Sequence, residues 1–198
     1  YGFAKGSGMI APNMGTMLAY IFIEAPLKHK DLKKILNANI ESTFNSISVD
    51  GDTSTSDTIM LFSTESNSVK VKMNNYLFNK VSKKIQEIMI SLSRKIVCDG
   101  EGISKLIEVC VSNSKSKAQA SNVAFSVAES TLVKTAIAGE DANWGRIVMA
   151  IGKANKYIDQ NKIVIKFGKF IVAKKGAMYE KINLKKLDRY MKNKIIKI

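Results

Sequence analysis

Apolar residues follow two rhythms along this chain. Short unbroken runs, Met17-Leu18-Ala19-Tyr20-Ile21-Phe22-Ile23 and "TIMLFST" (58–64), have the length of buried strands, and Pro26 closes the first. Between them Leu32, Ile35, Leu36 and Ile40 recur at helical spacing, which predicts a helix over 28–44, and "SVDGDTSTSD" (48–57) is a Gly/Asp/Ser/Thr loop. Leu77, Val81, Ile85, Ile88, Leu92 and Ile96 mark a long amphipathic helix over 72–97, broken by "CDGEG". "KLIEVCVSNS" (105–114) alternates apolar and polar positions and reads as a half-buried strand. Residues 115–138, rich in Ala and Val, read as one packed helix. "AGEDANWG" interrupts, and 146–154 forms a short helix that Asn143 is placed to cap. A hairpin over 162–176 with Gly168 at its turn, a helix over 182–193 and a strand over 194–198 complete the chain. Helices and strands mix without strict alternation, so the expected class is α+β. No repeat and no long linker marks an internal domain boundary.

Composition changes this picture little. With 198 residues, 45% of them hydrophobic, the chain can bury a sizeable core. It has no apolar run of membrane-spanning length and no signal-peptide plan, so a cytoplasmic protein without membrane contact is expected. Cys98 and Cys110 make no disulfide framework and are expected to be ordinary buried thiols. The formal net charge of +14 raises nucleic acid as a partner. The excess is scattered Lys, however, and Arg occurs only at 94, 146 and 189. Specific phosphate or base readout favours Arg forks, so solvated surface is the better account and no nucleic acid is expected. His29 sits at a Lys-rich helix start and is expected to be exposed. No His/Cys cluster has zinc spacing, and "DGDTSTSD" (50–57), although rich in oxygen ligands, lacks calcium-loop spacing. It reads as an ordered hydrogen-bonding turn.

The stretch "KGSGMIAPNMGTMLAY" (5–20) carries the candidate chemistry. A flexible Gly/Pro/Asn segment ends at Thr16, at the mouth of the first apolar run. A Thr hydroxyl needs a base, and a Thr at a chain terminus has one in its own α-amine, whose reference pKa is about 8. Gaining that amine in mid-chain requires cleavage after Gly15. Thr16 can itself attack the preceding carbonyl where the backbone bends, and Gly15 offers no Cβ hindrance. On spacing alone, "NMGT" is much better read as a plain turn entering a strand.

The words of the sequence resemble a known family. "AKGSGMIAPNMGTMLAY", "SVDGDTSTSDT", "VCDGEG" and "GEDANWGRIVMAIGKA" occur in the order of the signatures of the bifunctional ornithine acetyltransferase/glutamate N-acetyltransferase family of arginine biosynthesis. The resemblance implies a self-processing, N-terminal-nucleophile-like layered α+β fold of the ornithine acetyltransferase/aminopeptidase type. It implies cleavage at Gly15/Thr16, with Thr16 as nucleophile and substrate contact. It further implies that Lys5 and Glu101 bind substrate, Lys5 an acidic group and Glu101 the cationic amine of ornithine. The family usually has Ala where Gly15 stands. On this reading residues 1–15 are the C-terminal end of an α chain and 16–198 most of a β chain, forming a single domain. The family's upstream Thr-Gly oxyanion hole and its C-terminal Asn and Ser/Thr lie outside this sequence.

The implied enzyme is an acyltransferase that moves the acetyl group of N-acetylornithine to glutamate through an acetyl-Thr intermediate. It needs no cofactor and no metal, with acetyl-CoA an optional co-substrate. The α and β chains are expected to pair and dimerise into a heterotetramer. A self-processing aminopeptidase of the same fold, or a basic non-enzymatic binding module, are the alternatives. "DANWGR" (141–146) sets the only Trp beside an Arg, as a cation–π or packing anchor.

Overall fold

A computed structural model of the chain describes residues 1–8, 10, 17–52, 56–64, 74–154 and 157–198. They gather into two compact units, Tyr1–Gly102 and Ile103–Ile198, each with its own hydrophobic cluster. The junction falls at the "CDGEG" turn, too short to register as a linker in the sequence.

The first unit is built on a three-stranded sheet. Strand β1 (Gly2–Lys5) pairs antiparallel with β2 (Leu18–Glu24), which pairs in parallel with β3 (Thr58–Thr64) through α1 (His29–Asn39). Ala19 and Ile21 on the inner face are fully buried. Helix α2 (Asn75–Cys98) covers them with Ile85, Met89, Leu92 and Ile96, spaced along one stripe as an amphipathic helix requires. Each such side chain contributes roughly 1.5–3 kcal/mol on burial. Gly2 lets α2 lie close to β1, since a Cβ there would be 2.9 Å from Ile88 Cγ2. The outer face carries Phe3, Phe22 and Phe62, with Phe22 and Phe62 stacked at 4.8 Å and Phe3 edge-on to Phe22; Phe3, Met60 and Phe62 are exposed.

Helix α1 ends at Asn39, short of the expected 44, and gives way to 3₁₀ turns at Ile40–Ser42 and Phe44–Ser46. The buried Asn39 amide donates to Ile35 O at 2.8 Å, and the Thr43 hydroxyl donates to Asn39 O at 2.8 Å. These side chains compete with the helical hydrogen bonds at that point.

In the second unit β4 (Leu106–Glu108) and β8 (Ile195–Lys197) form a parallel pair, and β5 (Val164–Phe167), β6 (Phe170–Lys174) and β7 (Ala177–Met178) an antiparallel sheet. Four helices pack there: α3 (Lys117–Ala128), α4 (Thr131–Ala138), α5 (Trp144–Ala154) and α6 (Leu184–Met191). The single helix expected over 115–138 is two, because Ser130 accepts from Val133 N–H and starts a new helix. The strand expected over 105–114 is regular only at 106–108, and Asn113, with φ of 58°, turns the chain away. Asn143 caps α5 as expected, accepting from Arg146 N–H at 3.2 Å.

Both cysteines are exposed, against the expectation of buried thiols. Cys98 lies off the buried stripe of α2, and Cys110 alternates with Val109 and Val111, which pack on the core. His29 is exposed as expected.

Gly168 occupies the hairpin turn with φ of 56°, and a Cβ there would meet Tyr190 Cζ at 2.7 Å. Its N–H donates to Lys197 O at 2.7 Å, and the Tyr190 hydroxyl accepts from Lys197 N–H at 2.8 Å, so the turn, α6 and β8 share one junction. Gly168→Ala is expected to cost about 1–3 kcal/mol from left-handed backbone strain and overpacking. Chemical denaturation checks this, and an unchanged midpoint would show that the ring yields freely.

Candidate active site

Thr16 and Gly15 lie outside the described residues, but the residues that flank the segment 11–16 are described. Ile10 and Met17 are both almost wholly buried, at 3% and 2% exposure. Asp50 and Asp57, at the two ends of "DGDTSTSD", take hold of them. Ile10 N–H donates to Asp50 Oδ1 at 3.0 Å, Asp52 N–H donates to the same oxygen at 3.1 Å, and Val49 N–H donates to Ile10 O at 2.7 Å. Met17 N–H donates to Asp57 Oδ1 in a short hydrogen bond, and Thr58 N–H donates to Met17 O at 3.0 Å. Partial burial raises the Asp57 carboxyl above its ordinary pKa, and the Met17 N–H opposes the shift. The expected ordered turn therefore exists at its described ends, although Thr53–Thr55 lie outside the described residues.

The strand pairing gathers these groups at one edge. Lys5 ends β1 opposite Leu18, and Leu18 stands opposite Thr58, so the end of β1 and the starts of β2 and β3 meet there. The Lys5 side chain is exposed on the aromatic outer face. Beyond it Ser7 donates its hydroxyl to Ile96 O at 2.6 Å, tying the chain to the C-terminal turn of α2. Ala4, Lys5, Gly6 and Ser7 line a depression of about 370 Å³ together with α2 residues and Asp99.

Glu101 follows two residues beyond Asp99, exposed between Gly100 and Gly102, where Gly102 takes φ of 68°. Lys5 and the chain leading into Glu101 therefore border the same depression, while Glu101 itself does not line it. A second, largely apolar cleft of about 330 Å³, lined in part by Val123, Ile147 and Ile165, lies within the other unit and contains none of the candidate residues.

"DANWGR" has a structural part. Arg146 donates to Leu132 O at 2.8 Å and to the Thr135 hydroxyl at 3.0 Å, while Trp144 packs against the core, so the pair is a packing anchor rather than a cation–π contact. Among the described residues no group of three or more His, Cys, Asp or Glu side chains is placed to hold a metal, and no helix is long and apolar enough to cross a membrane.

Fold and edge together define an α+β chain with its candidate chemistry at strand termini of the first unit. The ArgJ family model matches residues 1–198, and the chain belongs to that family. It is similar to the arginine biosynthesis bifunctional protein ArgJ of Bradyrhizobium diazoefficiens, 45% identical over 89% of this chain and 44% of that protein. The protein of the same name from Nitrobacter winogradskyi is 43% identical over 100% of this chain and 48% of its own length. The chain thus spans about half the length of the curated relatives it matches. The crystal structure of arginine biosynthesis bifunctional protein argJ from Bacillus halodurans superposes with a TM-score of 0.80 at 32% identity, covering 90% of this chain and 84% of that one.

Sequence reasoning singled out "DGDTSTSD" without finding its partners, which lie 40 residues away for both Asp50 and Asp57. Asp50→Ala is expected to lower stability by about 1 kcal/mol, since it removes one exposed acceptor. It should also speed hydrogen–deuterium exchange at the Ile10 amide. Unaltered exchange there would show that Asp50 does not hold that residue.

Proposed function

We propose that this chain belongs to a self-processing acetyltransferase of arginine biosynthesis, with Thr16 as the nucleophile of both self-cleavage and acetyl transfer. The observation that carries this reading is the family match across the whole chain, with "KGSGMIAPNMGT" (5–16) leading into a buried strand. The Thr16 hydroxyl attacks the Gly15 carbonyl, the acyl group passes from nitrogen to oxygen, and water hydrolyses the ester. That step leaves a Gly15 carboxylate and a free Thr16 α-amine.

In transfer, the hydroxyl attacks the acetyl carbonyl of N-acetylornithine while the α-amine takes its proton and returns it to the departing ornithine amine. The amine of glutamate then attacks the acetyl ester and regenerates Thr16. Lys5 receives an acidic substrate group and Glu101 the ornithine ammonium. The exposure of both side chains, at the edge and helix end described above, supports these roles. Acetyl-CoA can serve as an alternative donor to the same hydroxyl, and the chemistry calls for no cofactor or metal. A cytoplasmic location goes with this biosynthetic role.

Two features support a two-chain enzyme with residues 1–15 ending the α chain and 16–198 within the β chain. This chain covers 84% of the solved Bacillus halodurans chain but less than half of the curated relatives' length. The exposed Phe3, Met60 and Phe62 on the outer face also give the sheet an apolar surface suited to burial against more of the protein. Pairing of α and β chains, and dimerisation into a heterotetramer, follow from this reading.

The test is the intact mass of the full-length protein after expression. Two chains divided between Gly15 and Thr16 are expected, and Thr16→Ala should give one uncut chain without acetyl transfer. Normal processing with retained activity in Thr16→Ala would overturn the assignment. Glu101→Gln should cleave normally and lose about ten- to a hundredfold in kcat/KM for N-acetylornithine, the worth of one charge-assisted hydrogen bond. Unchanged kinetics would return Glu101 to the ordinary surface carboxylates.

A further inference from the structure

Lys5 shares its depression with other charged groups. Lys95, in the last turn of α2, and Asp99, the residue that caps that helix, line it too, while Ala4, Leu92 and Ile96 supply apolar wall. We infer that Lys95 is a second substrate-binding cation, acting with Lys5 to select an acyl acceptor that carries two carboxylates. This inference rests on the proposed transfer of an acetyl group to glutamate. Every residue that lines the depression is a described residue of the first unit.

The chain brings the two lysines in from different directions. Strand β1 runs antiparallel to β2 and ends at Lys5, after which Gly6 turns the chain with φ of 89°. On α2, Leu92 and Ile96 belong to the stripe buried against the sheet. Lys95 and Asp99 stand at i and i+4 beside that stripe, so they share one side of the helix end. The Ser7 hydroxyl donates to Ile96 O at 2.6 Å and ties the two walls together.

The charge on these walls is unspent. Lys5, Lys95 and Asp99 are exposed, and among the described residues none of them has an ion pair. By contrast Lys84, Lys105, Lys162 and Lys197 each meet a carboxylate. A lone exposed lysine is ordinary surface. Two lysines and a carboxylate that converge on a depression of about 370 Å³ with an apolar wall are the makings of a small-ligand site.

The signs of these groups name the ligand class. The walls offer two positive charges and one negative. Glutamate at neutral pH carries two carboxylates and one ammonium, joined by methylenes, and is their complement. Glutamine has the same shape without the second carboxylate, and N-acetylornithine has one carboxylate only. One lysine cannot distinguish glutamate from glutamine, because both bring an α-carboxylate. A second lysine can, since it is left without a partner when glutamine binds. Lys95 also complements the dipole of α2 from its last turn. That role acts on helix stability and does not discriminate between acceptors.

The test compares Lys95→Ala and Lys95→Arg in the full-length protein. Readouts are kcat and KM for glutamate with N-acetylornithine as donor, kcat/KM for glutamine as acceptor, KM for N-acetylornithine, and the melting temperature. Lys95→Ala is expected to raise KM for glutamate about fivefold, the upper range for an exposed ion pair. With kcat unchanged, that loss is one of uniform binding. Its KM for N-acetylornithine and its use of glutamine should stay at wild-type values. Lys95→Arg keeps the charge and should restore KM for glutamate to within about twofold.

An unchanged KM for glutamate in Lys95→Ala would overturn the inference. So would an equal loss for glutamate and glutamine, or a loss that Lys95→Arg does not restore. A lower melting temperature with wild-type kinetics would assign Lys95 to the helix dipole alone and overturn it as well. Should Lys95→Ala not fold, Lys95→Gln carries the same expectations. A wild-type protein that transfers no acetyl group to glutamate overturns the proposed function and this inference with it. Transfer with unaffected Lys95 variants overturns the inference only.

Discussion

Parallel pairing of β2 with β3 is the constraint on which the first unit depends. Two parallel neighbours begin at the same edge of a sheet, so whatever precedes β2 must lie beside whatever precedes β3. The stretch before β2 ends at Met17, the residue after Thr16, and the stretch before β3 is the Asp-rich turn. Ala19 and Ile21, wholly buried under α2, hold the register that makes them neighbours. A slip of one residue would turn these side chains outward and carry Asp57 away from Met17. Sites in open α/β sheets usually lie at the C-terminal ends of parallel strands. A nucleophile that needs a free α-amine inverts this preference, because only the N-terminal end of a strand can present it.

The antiparallel β1 completes the arrangement from the other direction. It runs toward the edge at which β2 starts, and so delivers Lys5 opposite Leu18. Close approach of α2, allowed by Gly2, then places the C-terminal turn of that helix beside the continuation of β1, where Ser7 bonds Ile96 O. The charged residues of the candidate site thus come from strand and helix ends whose positions are set by an apolar interior.

Much of this fold was legible in the sequence, and the exceptions share a cause. β3 matches the run at 58–64 and β2 is displaced by one residue, because unbroken apolar runs report burial directly. The stripe of α2 was equally plain. Boundaries set by polar side chains were harder: Asn39 and Thr43 end α1 by bonding backward, and Ser130 divides one apparent helix into two. The alternation of "KLIEVCVSNS" was misleading because packing without a long partner strand gives the same pattern. The candidate site was legible in words rather than in physics. Thr16, Lys5 and Glu101 carry no distinguishing spacing, and their roles came from family resemblance. Asp57 stood in plain view within a quoted motif, but its partner lies 40 residues away, beyond any local rule.

A nucleophile with two reactions needs a mount that neither reaction alters. On the proposed reading, self-cleavage breaks the bond before Thr16, and transfer loads and unloads an acetyl group on its hydroxyl. The peptide bond after Thr16 takes part in neither. Hydrogen bonds to Met17, burial of its side chain and the ladder beyond it all lie on the C-terminal side of the proposed cleavage point. On the proposed reading, the precursor already possesses the mature geometry on the C-terminal side of the nucleophile.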